Sequence, residues 1–232
     1  MDDSSSAYLG FLKSPKNEII LPYIDTLMRS APDSILLGTA FLALLTQSWS
    51  YTILLLAFVE IFGIHYLLST LASFISGSKG EPDNGACGFM IPSYSQISII
   101  KNLLYSSSFP IAPTFFVSSV IAYIFGSTIN LTNEINDLAK NNYILNTRYP
   151  ISVIASIVFL SAFVIWRIMR GCDSLIPSMG TVILGFLTGG MLLIANVYIF
   201  GREAINFTGL PLLVNKISSG APLYVCAESS TG

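Results

Sequence analysis

The chain is predicted to be an all-α integral membrane protein with about four transmembrane helices and short interfacial helices. Three observations predict this. Glu60 is the sole charged residue between Asp33 and Lys79, and three further charge-free stretches run from Asn102 to Asn133, Tyr149 to Trp166 and Ser174 to Gly201. A helix with a wet face needs charged residues every turn or two, whereas a bilayer core of ~30 Å takes about 20 apolar residues per helix. Composition agrees: 10% of residues are charged and 53% hydrophobic, with a mean hydropathy of +0.69, against about 25% charged in ordinary soluble domains.

Residues 1–34 read as an N-terminal arm. Ile20, Ile24, Leu27 and Met28 recur at helical spacing while Lys16, Glu18, Asp25 and Arg29 fall elsewhere on the turn, so the arm can form an interfacial helix on a membrane, a partner or its own bundle. The opening Met1-Asp2-Asp3 is acidic, so no cleaved signal peptide is expected and the first span should direct insertion.

Asp33 or Ser34 is placed to cap the next helix. Residues 35–76 outrun one crossing, since they would reach roughly 60 Å as a helix. Their one polar interruption is Gln47-Ser48-Trp49-Ser50-Tyr51. A hairpin turning there would leave a first leg of about 18 Å, Ile35 to Thr46, too short to cross. The preferred reading is one span from about Thr52 to Ile75, preceded by an apolar extension. Residues 77–108 form a polar connection with a turn at Glu81-Pro82-Asp83-Asn84-Gly85 and a short surface helix through Ile97, Ile100 and Leu104. Pro110 and Pro113 open the second span, 109–129, where a helix start can lose amide hydrogens. A polar loop (130–150), a third span (151–170), a fourth (180–200) and a tail (201–232) complete the chain.

Counting crossings places Cys87 and Cys172 on one side, whether residues 35–76 cross once or twice, and Cys226 on the other. Cys87 and Cys172 could therefore pair if that side is oxidising. The sequons at Asn130 and Asn206 lie on the opposite side, so glycosylation and this disulfide exclude one another. With a single first span the arm joins the sequon side, and the excess of Lys and Arg there turns it to the cytoplasm. A hairpin would reverse that assignment.

Glu60, His65 and Asn196 are the notable polar groups inside spans, where an ionisable residue suggests function. Glu60 and His65 are ~140° apart around a helix, which argues against a shared-face proton relay. Glu60 can instead sit in the bundle interior or face another subunit, and Asn196 needs an interhelical hydrogen bond. Gly185 and Gly189 form a small-xxx-small motif, expected to pack within this chain. Arg167 and Arg170 are expected to anchor the membrane boundary. Neither metal nor cofactor is expected, because one histidine and no acidic cluster exclude most protein-built metal sites. Net charge −2 leaves no footprint for nucleic acid. No catalytic motif or small-molecule substrate site is evident, and an enzyme is not expected.

Cys87-Gly88-Phe89 with Pro92-Ser93-Tyr94-Ser95, then Arg170-Gly171-Cys172-Asp173, Gly201-Arg202-Glu203-Ala204-Ile205-Asn206 with Leu210-Pro211, and Leu223-Tyr224-Val225-Cys226 occur in an order that resembles small multi-pass membrane proteins of large icosahedral double-stranded DNA viruses, the chlorella-virus and mimivirus-like groups. The likeness covers roughly residues 87–226. It implies a structural protein of the internal virion membrane whose partners are the lipid bilayer and minor capsid proteins, and it transfers no functional residue. The rival expectations are a channel or transporter subunit using Glu60 and a tetraspan-like adaptor of a cellular membrane.

Overall fold

In a computed structural model, residues 15–76, 109–132 and 143–207 are described. Among them are five α-helices: α1 (Pro15–Thr46), α2 (Trp49–Ser76), α3 (Ala112–Asn130), α4 (Tyr143–Met169) and α5 (Leu175–Phe200), with a 3-10 turn at Arg202–Ile205. Three of the helices, over Trp49–Ile75, Ala112–Asn130 and Leu175–Phe200, are long and apolar enough to cross a membrane. Val153–Met169 in α4 is a shorter apolar helix. All four predicted spans thus fall on helices.

The first window holds the expected span from about Thr52 to Ile75 on α2 and, before it, the expected apolar extension as the second half of α1. Its break is at Gln47, whose φ of 48° lies in the left-handed region and ends α1. Thr46 Oγ1 donates to the Leu42 carbonyl at 2.6 Å and accepts the Ser48 amide at 3.4 Å, and the Ser48 carbonyl accepts the Thr52 amide as α2 begins. The first leg is not short, because α1 continues back through the arm to Pro15 with Pro22 and Pro32 inside it. From Asp25 to Thr46 it rises about 33 Å, but it is not one of the three helices that are both long and apolar enough to cross.

Contacts at the two ends fix the directions of the helices. Asp25 near the start of α1 meets Trp166 and Arg170 at the end of α4. Trp49 at the start of α2 packs edge-on against Phe200 at the end of α5. α1 and α2 are therefore an antiparallel hairpin, and the five helices alternate in direction. The end holding the start of α3 is termed the head, and the opposite end the foot. The hairpin puts Asp25 of α1 at the head, beside Arg170. The surface helix expected through Ile97 and Leu104 lies outside the described residues.

α3 is the central helix. Every residue from 111 to 120 is buried, and Phe115, Phe116, Val117 and Val120 share one core with Leu54, Phe58 and Ile61 of α2, Leu160 and Phe163 of α4, Leu192 and Leu193 of α5 and Ala31 of α1. A helix apolar or merely hydroxylic all round has no face that requires water, and here it is enclosed by its neighbours. Phe116 stacks on Phe62 at 5.0 Å and meets Phe58 edge-on at 5.2 Å.

α5 lies closest to α3. A Cβ at Gly185 would collide with the Ser118 hydroxyl, and one at Gly189 with the Ser119 carbonyl. Lipid offers no hydrophobic drive for helix association, so backbone proximity and van der Waals packing must supply it. Ser118 keeps its own hydroxyl satisfied by donating to the Thr114 and Phe115 carbonyls at 2.7 and 3.1 Å. Gly190, by contrast, has open space where its Cβ would be.

At the foot the chain turns back under the bundle. Ala204 and Ile205 are fully buried, Ser50 Oγ donates to the Glu203 carbonyl at 2.8 Å and Tyr51 OH to the Phe207 carbonyl at 3.1 Å. Arg202 Nη2 donates to the carbonyl of Asn130, covering the end of α3.

The packing predicts that Gly189→Ile destabilises the protein by about 3 kcal/mol, the upper range for overpacking. Gly190→Ala should stay within about 1 kcal/mol of the parent or stabilise it slightly. Unfolding in mixed micelles titrated with a denaturing detergent measures both.

Candidate functional site: a polar lock at the head of the central helix

Three elements converge on the first turn of α3. His65 of α2 bonds the Pro110 carbonyl through Nε2 at 2.7 Å; a carbonyl only accepts, so this nitrogen carries the hydrogen. Thr181 of α5 accepts the Ile111 amide on Oγ1 at 3.1 Å, satisfying one of the donors that a helix start leaves unpaired. Thr114 Oγ1 donates to Asp173 Oδ2 at 3.3 Å, from the turn between α4 and α5. The Asp173 carboxylate also lies where the positive end of the α3 dipole favours an anion.

Asp173 is held in turn by Arg167. Nε reaches Oδ2 at 2.6 Å and Nη2 reaches Oδ1 at 3.0 Å, a two-point fork. The two side chains are only 5% and 3% exposed, and the guanidinium lies 5.9 Å above the Phe163 ring. Arg167 is thus turned into the bundle rather than out to headgroups, because α4 places it one turn beyond the buried Phe163. Arg170 does lie at the surface, where Nε pairs with Asp25 Oδ1 at 2.8 Å. The Trp166 indole donates to that same oxygen at 3.1 Å. Arg29 and Asp33, on the same side of the hairpin, are both engaged within the protein.

A second polar pair is buried deeper. Asn196 Nδ2 donates to the Tyr123 hydroxyl at 3.2 Å, joining α5 to α3. Glu60 lies in the span of α2, Trp49–Ile75. Its Oε2 is buried and has no hydrogen-bond partner among the described residues. His65 and Glu60, read from the sequence as lying on different faces, engage different neighbours. His65 grips the head of α3, while Glu60 lies one and a half turns nearer the foot.

Cys172 is disulfide-bonded; Cys87 and Cys226 lie outside the described residues. Gly185 and Gly189 both face α3, as described above. Asp173, Thr114 and Thr181 were not singled out in the sequence, since nothing in it pairs positions 59 or 70 apart. Tyr123 could have been found: a tyrosine inside a span needs a partner for its hydroxyl. Among the described residues no group of three or more His, Cys, Asp or Glu is placed to hold a metal ion.

These helices define a multi-pass membrane protein. No family model, curated protein or solved structure matches the chain.

Two predictions follow from the lock and its position. Asp173→Asn and Arg167→Met should each cost about 3–5 kcal/mol, because each leaves a buried charge unpaired. The double variant should cost clearly less than their sum, as a double-mutant cycle in detergent unfolding would measure. A disulfide at Cys172 persists only where the head faces an oxidising compartment; with the head so placed, Asn130 and Asn206 at the foot are expected to carry no glycan. A mass decrease on deglycosylation of the native protein would place the foot outside instead.

Proposed function

We propose that this chain is a structural membrane protein that fastens a protein layer of a large assembly to a bilayer. The observation that carries the reading is the closure of the helix bundle around α3. Residues 111–120 are buried on all sides, α5 touches the α3 backbone through two glycines, and polar contacts fasten the head and foot. Such a bundle serves to hold position, since any movement of α3 would break several buried hydrogen bonds together.

The order of short motifs between Cys87 and Cys226 supports a virion as that assembly, with the internal membrane as the bilayer and minor capsid proteins as the layer. This reading assigns no catalysis and no cofactor. Cross-linking mass spectrometry of a purified native particle tests it: cross-links to capsid components are expected. Recovery solely from host membranes, with no such neighbours, would overturn it.

The rival is a channel or transporter subunit, and the buried Oε2 of Glu60 is the observation that favours it. Purified protein in liposomes should then pass ions, and Glu60→Gln should alter that flux several-fold with assembly intact. The structural reading expects leakage equal to that of empty liposomes for both proteins.

A further inference from the structure

Cys172 is half-buried and disulfide-bonded within this chain, in the turn that carries Asp173. That turn is a helix stop of defined geometry. Gly171 takes a φ of 70°, its amide donates to the Ile168 carbonyl, and the Cys172 amide donates to the Arg167 carbonyl, each at 3.0 Å. These are the paired bonds of a Schellman motif, with glycine in the left-handed position. The motif folds the chain back over the end of α4, so that Asp173 receives the Arg167 guanidinium and the Thr114 hydroxyl. A covalent bond at Cys172 therefore acts on the residue next to the polar lock.

The chain has three cysteines, so the partner is Cys87 or Cys226, both outside the described residues. The directions of the helices decide between them. α2 starts at the foot, where Trp49 meets Phe200, and its later residue His65 is already at the head on the Pro110 carbonyl. The connection bearing Cys87 thus leaves α2 and enters α3 at the head, the end that holds Cys172. The segment bearing Cys226 leaves from the foot, where the Phe207 carbonyl accepts the Tyr51 hydroxyl. To reach Cys172 that segment would have to cross the bilayer, which only a helix or a closed barrel does without stranding backbone polar groups. Pro211, Lys216 and Pro222 interrupt it as an apolar helix.

We propose that Cys172 is joined to Cys87, and that this bond staples the α2–α3 connection to the turn of the polar lock while Cys226 stays a free thiol. The bond forms by exchange with a disulfide oxidant. The Cys87 and Cys172 thiols give up two protons and two electrons, a sulfur–sulfur bond forms between them, and the oxidant leaves as two thiols. A dithiol reductant reverses the step, and the connection then no longer restrains the Asp173 turn. This inference does not depend on the virion reading.

The test uses full-length protein purified in detergent with N-ethylmaleimide present to trap free thiols. Digestion without reduction, followed by mass spectrometry, should recover a peptide linking Cys87 to Cys172 and maleimide on Cys226. Hydrogen exchange at the Gly171 and Cys172 amides should be several-fold faster after dithiothreitol. Cys87→Ser should reproduce that rise without reduction, whereas Cys226→Ser should leave exchange at the turn as in wild type. A peptide linking Cys172 to Cys226, or maleimide on Cys172 before reduction, would overturn the pairing. Exchange at the turn unchanged by both dithiothreitol and Cys87→Ser would overturn the staple.

Discussion

The close approach of α5 to α3 is the constraint on which the other contacts depend. Gly185 and Gly189 remove the side chains that would hold the two backbones apart, and this brings Thr181 to the Ile111 amide and Asn196 to the Tyr123 hydroxyl. Once α5 occupies that flank, α2 and α4 close round the rest of the first half of α3, and α1 covers α2. In a bilayer such an arrangement cannot rely on expulsion of water. It rests on packing at small residues and on polar groups that find partners inside the protein.

That dependence also accounts for where the charges go. Arg167 and Asp173 neutralise one another inside the head of the bundle, and Asp25 serves both Arg170 and Trp166 at its surface. With Arg29 and Asp33 also engaged, a helix as charged as α1 can lie beside the apolar spans along the full bundle. The foot is treated differently. There the chain itself returns, and backbone carbonyls of Glu203 and Phe207 take the hydroxyls of Ser50 and Tyr51.

The polar groups inside the spans are handled in several ways. His65, Thr181 and Asn196 join one helix to another, while Ser118, Ser127 and Thr128 bond carbonyls of their own helix. Glu60 Oε2, like Ser119 Oγ and Ser178 Oγ, is buried without a hydrogen-bond partner among the described residues.

The membrane class was legible from charge spacing alone, because excluding charges from stretches of about 20 residues is a requirement of the bilayer, whatever the fold. The glycine pair was legible for a similar reason, since few side chains permit close helix approach. The hairpin was not. Ile35–Thr46, about 18 Å long, is too short to cross by itself, and local sequence could not reveal that α1 runs back through Asp25, Arg29 and Asp33, whose charges are engaged within the folded protein. Nor could it reveal that Arg167 turns inward, that Asn196 meets Tyr123 or that Asp173 reaches the head of α3. The sequence by itself determined that helices cross a membrane and roughly where they lie. Tertiary structure decided how many helices join the bundle, which end holds the start of α1 and which charges are hidden, because those outcomes depend on contacts between residues far apart in the chain.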